Sequence, residues 1–264
     1  VAIAFYLWES SHNIIEHCTV DHIGGYGFKV HGLWWVDEET EETRNSEANV
    51  FLNCDAYLCE DPISPTPYGG ADGYNVNWTN KADPTYFIGC RGWHNGDDAW
   101  DLFNGENNHV YFKNCWAFWN GYNDSFTETG DGVGFKLGPQ VDDHSNRNLY
   151  TLYKCIAAGN RVTGFDQNTI ENTCNMTFYN CLSYKNVFGW YFYEAGEEAT
   201  NTLKNNIAYK NKNKNIGDFM DGRPHGTGIV YYKSGDRYEG DWKKDQPNGK
   251  GVMQGVFRVG MRLE

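Results

Sequence analysis

No run of about 18 apolar residues occurs in this chain, so no segment reads as a membrane-spanning helix. Positive charge is in short supply: 22 Lys and Arg stand against 35 Asp and Glu, a net charge of −13 at pH 7. That balance lacks the basic stripe a nucleic-acid partner requires. It also sits awkwardly with a polyanionic substrate, unless a bound cation reverses the sign locally. Proline is scarce, 7 in 264 residues, beside 30 glycines and 16% aromatic residues. Such a profile belongs to a β-rich chain with many tight turns. The eight cysteines include no Cys-x₂-Cys pair, which removes the usual signature of structural zinc. Neither an initiator Met nor a signal-peptide pattern precedes Val1, so the chain reads as a mature form or a fragment. Its length suffices to bury a sizeable core, as one long domain or as two unequal ones.

What is present is an internal repeat. Cys18, Cys54, Cys90, Cys115, Cys155 and Cys181 each follow one short β-rich stretch and precede another. Asn206 takes the same slot in the final unit, and the intervals are 36, 36, 25, 40, 26 and 25 residues. The shortest intervals fit one three-strand coil of a β-solenoid, and the longer ones are coils carrying loop insertions. The cysteines are therefore expected to be buried thiols stacked in a core, not disulfides. Cys59 and Cys174 fall outside this series.

Two further columns keep phase with the first. Five residues after the slot stand Asn95, Asn120, Asn160, Asn186 and Asn211, a pattern suited to an amide ladder inside stacked turns. Beyond them comes a strand of the form small-aromatic-x-apolar, as in Gly27-Phe28-Lys29-Val30, Ala99-Trp100-Asp101-Leu102 and Gly134-Phe135-Lys136-Leu137. Period-two alternation places the aromatic in the core and the third residue on the outer face. Lys29, Asn75, Asp101, Lys136, Asp166 and Tyr191 are thereby expected to form one exposed column, with successive coils about 4.8 Å apart.

Asp72 and Asp98 both precede the small residue of this strand, on consecutive coils, so they should stack. Asp97 and Asp101 lie beside them. Four carboxylates converging on one patch repel strongly, and a hard divalent cation with oxygen ligands, Ca²⁺ above all, resolves the conflict. Lys136 follows Asp101 one coil on. Near a cation and partly desolvated, its pKa should fall, which makes a neutral amine available as a general base.

These segments resemble polysaccharide lyase family 9. The likeness rests on Ala71-Asp72-Gly73, on Asn95-Gly96-Asp97-Asp98-Ala99-Trp100-Asp101-Leu102 and on Trp116-Ala117-Phe118-Trp119-Asn120-Gly121. Gly132-Val133-Gly134-Phe135-Lys136-Leu137-Gly138 and Gly159 to Asn168 extend it, so that it covers roughly residues 1–213. The resemblance implies an all-β, right-handed parallel β-helix whose N-terminal coils are missing here. It further implies Asp72, Asp97, Asp98 and Asp101 as calcium ligands and Lys136 as the base. The implied activity is a pectate lyase, secreted and monomeric, that cleaves polygalacturonate by β-elimination to 4,5-unsaturated products. Arg161 and Arg147 are candidate contacts for further carboxylates, with a solvated surface role as the alternative.

Three rival readings stay open. One is a lyase acting on another uronate polymer such as alginate. A β-helical glycoside hydrolase would need an acid–base carboxylate pair, where this chain has a lysine beside the carboxylates. The third is a non-enzymatic Ca²⁺-binding surface or adhesion protein.

After residue 213 the columns stop and a second repeat begins. Gly217-Asp218-Phe219 recurs as Gly240-Asp241-Trp242, and Tyr238-Glu239-Gly240-Asp241-Trp242 with Gly249-Lys250-Gly251 resembles MORN repeats, which are stacked β-hairpins. Residues 214–264 are accordingly expected as a short hairpin unit that caps the end of the β-helix, with a binding role as the alternative.

Overall fold

The computed structural model describes residues 1–32, 46–79, 83–102, 108–138, 148–168, 174–192 and 201–212 in full. For the C-terminal segment it describes the backbone of Asn215–Met220, Arg223–Tyr231, Arg237–Lys243 and Gln246–Gln254. Arg147 lies outside the described residues.

Three seven-stranded parallel sheets run the length of the solenoid, and each coil gives one strand to each sheet. The first sheet stacks Ala2–Trp8, Gly25–His31, Tyr74–Asn77, Trp100–Asp101, Phe135–Lys136, Thr163–Asp166 and Phe188–Tyr191. The second runs from Ile14–Glu16 to Asn201–Lys204 and the third from Thr19–Asp21 to Ile207–Tyr209. The architecture is a right-handed parallel β-helix. A separate antiparallel sheet of four strands follows it, in agreement with the expected hairpin unit.

The sequence columns are the registers. Phe5, Phe28, Tyr74, Trp100, Phe135, Phe165 and Trp190 form one inward stack, with neighbouring ring centroids 4.6–5.1 Å apart. The second sheet adds Phe51, Phe87 and Phe112 at 4.8 and 5.3 Å, edge-on to the first stack. Opposite them the third sheet offers, after Val20, small inward residues: Ala56, Gly92, Ala117, Ala157, Ser183 and Ala208. Large residues on two sides and small ones on the third let a narrow triangular core reach close packing.

All eight cysteines are free. The thiols of Cys54, Cys90, Cys115 and Cys181 turn to a carbonyl of the preceding coil, as Cys90 Sγ does to Phe51 O at 3.3 Å and Cys115 Sγ to Phe87 O at 3.3 Å. Asn206 reproduces the bond with its amide, Nδ2 to Phe178 O at 3.0 Å, which is why Asn can replace Cys there. The residue before each slot has a positive φ of 51–68° in all seven coils, from His17 to Asn205. That left-handed turn accounts for the asparagines at 53, 114, 180 and 205.

The asparagine column is a continuous buried ladder. Asn95, Asn120 and Asn160 each donate Nδ2 to the next Oδ1 at 3.0, 2.8 and 3.1 Å, and Asn186 donates to Asn211 at 3.2 Å. The ladder also dictates the small residue ahead of each aromatic: a Cβ on Gly134 would sit 2.9 Å from Asn160 Nδ2 and 2.6 Å from Gly164 O. A second ladder opens the second sheet, where Asn49, Asn108 and Asn148 accept backbone N–H groups of Asn13, Thr79 and Asn108 at 2.7–3.0 Å. Cys174 takes the next place beside Asn148, and burial pushes its thiol up to about 12. Cys59 is a core residue.

Candidate functional site

The outer face of the first sheet carries the expected column in register: Lys29 beside Asn75, then Asp101, Lys136, Asp166 and Tyr191. One expectation is corrected. These residues point outward, yet Asp101 and Lys136 are each only 9% exposed, and Asn75 and Asp166 are buried as well. Neighbours under 5 Å away shield one another, and at Lys136 a loop residue, Asp131, adds cover.

Backbone bonding orients the carboxylates. Asp72 Oδ1 accepts the N–H of Asp98 at 3.1 Å, and Asp98 Oδ1 accepts the N–H of Val133 at 2.7 Å. Each carboxylate thus spends one oxygen on the backbone of the next coil and keeps its other oxygen buried. Ligand oxygens of Asp72, Asp98 and Asp101 all lie within 4.8 Å of one another. Asp97 stands at the edge of this group, where its Oδ1 accepts the N–H of Asp131 at 2.6 Å. The structure therefore gathers three of the four named carboxylates and sets the fourth beside them.

The donor set fits a hard cation. It consists of carboxylate oxygens alone, and the buried Asp72 Oδ2 has no hydrogen-bond partner. A desolvated anionic oxygen left in this way is costly without a positive charge to meet it. Burial, reinforced by the mutual repulsion of the aspartates, raises the pKa of Asp72 and Asp98 well above the carboxylate range. Asp97 is pushed up to about 6, chiefly by burial.

Lys136 lies within this cluster, its Nζ 3.1 Å from Asp98 Oδ2 and 3.4 Å from Asp131 Oδ2. The expected fall of the Lys136 pKa supposed a cation beside it; without one the direction is the opposite. Burial alone lowers the lysine pKa, but Asp98, Asp101, Asp97 and Asp72 outweigh it and raise the pKa above the ordinary value. With the carboxylates unengaged, Lys136 is their ammonium counterion.

Asp131 was not marked by any repeat column. It arrives on the loop after Gly121, which is fastened to the Asp97 coil by Thr129 Oγ1 and Gly130 N–H, both donating to Gly96 O at 2.7 and 2.6 Å. Arg161 helps to hold that loop: its Nε donates to Gly130 O at 2.8 Å and its guanidinium pairs with Glu128 at 3.6 Å. At the other end of the column, Lys29 lies over the Tyr26 ring at 4.3 Å, and burial lowers its pKa. Burial and the Asp72 charge raise that of Tyr26.

Comparison with known proteins agrees with this geometry. Two stretches, 216–237 and 238–256, match the MORN repeat. Pectate lyase L of Dickeya dadantii (strain 3937) is 34% identical over 186 residues, which cover 69% of this chain and 38% of that protein. Pectate lyase L of Thermoclostridium stercorarium is 28% identical, with 68% of this chain and 14% of that protein covered. The crystal structure of pectate lyase Pel9A superimposes with a TM-score of 0.62 at 28% identity, over 79% of this chain and 47% of that one. The chain thus spans well under half the length of these curated relatives. Residues 2–217 match the model described as Pel9A-like, right handed beta helix region, and the chain belongs to that family.

Proposed function

We propose that this chain is a calcium-dependent polysaccharide lyase that cleaves pectate by β-elimination, with Lys136 as the general base. The observation that carries the reading is the ammonium of Lys136 held 3.1 Å from Asp98 within a buried group of Asp72, Asp98 and Asp101. The relatives bearing the name pectate lyase support it. Asp72, Asp98 and Asp101 would hold the cation, with Asp97 at its margin. A bound Ca²⁺ supplies neutralisation of a uronate carboxylate and thereby acidifies the adjacent ring C–H. Once the aspartates are engaged in this way, burial is the main influence left on Lys136, and it favours the neutral amine. The amine takes the C5 proton, the C–H electrons form the C4–C5 double bond, and the C4–O bond breaks with its electron pair on the departing sugar's oxygen, which takes a proton from water; a 4,5-unsaturated uronate is left at the new end. Asp131, at 3.4 Å and on the solvent side, is placed to pass the proton from Lys136 to water. Secretion and a monomeric state accompany this reading. The C-terminal hairpins are read as a cap, since Asn215–Met220 runs against the strands of the last coil.

The test is near-ultraviolet absorbance of unsaturated product from polygalacturonate, with calcium and with chelator. Product in calcium and none in chelator is expected. Alginate as a parallel substrate should give none; product from alginate alone would transfer the reading to that polymer, and product from neither would end it.

A further inference from the structure

Charge is not spread evenly along this solenoid. In residues 148–168, 174–192 and 201–212 the sole carboxylate is Asp166, in the first-sheet column, against Lys154, Arg161, Lys185, Lys204, Lys210 and Lys212. Glu171, Glu194, Glu197 and Glu198 belong to segments outside the described residues. In a chain of net charge −13, the described residues of the last coils therefore carry an excess of basic side chains.

The third sheet's outer face is apolar where the charge is basic. Trp116, Ile156, Leu182 and Ile207 form one outward register and Phe118, Ala158, Tyr184 and Tyr209 the next. Trp116 is 46%, Tyr209 49% and Ile207 54% exposed, and the Tyr184 and Tyr209 rings stack at 5.7 Å. Lysines stand at both ends of these short strands, each over a tyrosine ring: Lys154 over Tyr153 at 5.2 Å, Lys185 over Tyr184 at 5.2 Å and Lys210 over Tyr209 at 5.1 Å. None of the three meets a carboxylate among the described residues. An exposed aromatic floor rimmed by cations that meet no described carboxylate marks a binding surface.

We infer that the outer face of the third sheet over the last coils is a second, non-catalytic binding site for an acidic polysaccharide. Aromatic and aliphatic side chains take the C–H faces of pyranose rings, and the ammonium groups take the carboxylates. Coils repeat these groups at about 4.8 Å, the scale of one sugar ring. The first sheet carries the aspartate cluster, so this face leaves the chemistry free and would hold the enzyme on its polymer. The inference borrows only the polymer's chemistry from the proposed function.

The test is retardation of the full chain in native gels containing polygalacturonate, run in chelator so that no divalent ion bridges protein and polymer. Lys154→Ser/Lys185→Ser/Lys210→Ser should raise the apparent Kd about tenfold, the combined worth of three exposed charge contacts. The triple Lys→Arg variant should bind normally, and Tyr184→Ala/Tyr209→Ala should weaken retardation without changing turnover of short oligouronates in calcium. Undiminished retardation of the lysine variant overturns the inference. So does an inert tyrosine pair, or equal retardation by polyglutamate or single-stranded DNA, since either leaves a bare polyelectrolyte contact. Product formation without retardation sinks this inference alone; retardation without product sinks the lyase reading alone.

Discussion

Replacing Asp166 by Asn should make the protein more stable at neutral pH and leave it nearly unchanged near pH 4. Asp166 sits in the outer column between Lys136 and Tyr191, buried, with its Oδ1 accepting the N–H of Asn168 at 2.7 Å. Burial pushes its carboxyl from 3.8 up to about 6, against the opposing pull of that bond and of Lys136. The raised pKa means the folded state binds the proton more tightly than the unfolded chain. Its contribution is therefore intact below about pH 4 and is lost as pH rises through about 6. A shift of about two units corresponds to about 3 kcal/mol. Asn keeps the acceptor for Asn168 and never ionises, so it escapes that loss. Urea unfolding of wild type and Asp166→Asn in chelator, at about pH 4 and about pH 7.5, reads the difference directly. The advantage of Asn should grow by about 3 kcal/mol across that interval. An advantage that stays constant, or that shrinks towards pH 7.5, would refute the assignment of Asp166 as a desolvated carboxylate.

Lys136→Ala should lower turnover by at least about a hundredfold, and Lys136→Arg nearly as much because guanidinium holds its proton; near-normal product from either removes Lys136 as base. Asp98→Asn with Asp101→Asn, which preserves the acceptor for Val133 N–H, should abolish calcium binding by calorimetry with an unchanged circular-dichroism spectrum; retained affinity would put the cation elsewhere. Thiol titration should find all eight cysteines free on denaturation and nearly all unreactive in the native state, so any mapped disulfide contradicts the stacked column. Deleting residues 214–264 should expose the last coil's strand edges and drive association visible by light scattering; a monodisperse truncated chain would argue against the cap.

Much of the fold was legible because a solenoid converts sequence period into spatial neighbourhood. Counting from the cysteines aligned Asp101 with Lys136 and Lys136 with Asp166, and those are the observed partners. The second asparagine ladder was not anticipated, although its residues keep fixed distances from the cysteines: Asn108, Asn148 and Cys174 stand seven residues before a cysteine of the series, and Asn13 and Asn49 five before. Asp131 left no such trace. Its position depends on loop hydrogen bonds to Gly96 and Asp97, which have no counterpart among the described residues of the other coils. The burial of the outer column escaped pattern reading for a similar reason. Alternation tells inside from outside, but cover from neighbouring coils and loops is a property of the assembled surface. The expected fall of the Lys136 pKa presupposed a cation on the aspartates; with the aspartates unengaged, their charges set the direction and it is upward.

The same coil spacing that builds the site also sets its energetic problem. Two like charges about 4.8 Å apart cost about 3 kcal/mol per pair at an effective dielectric of about 20. The parallel register does not let Asp72, Asp98 and Asp101 move apart, since each is tied to a strand or to the backbone of the next coil. Three remedies are open to such a group: protons on the carboxylates, an internal ammonium, or an external cation. The raised pKa of Asp72, Asp98 and Lys136 is the direction in which the first two act. The third would compete with both, because an external cation and the ammonium would draw on the same carboxylates. Binding a cation would therefore displace protons from the cluster and release Lys136 from its role as counterion. On the proposed reading, the group that balances the cluster in one state would serve as the base in the other, and that exchange would make a buried lysine among aspartates more than a structural salt bridge.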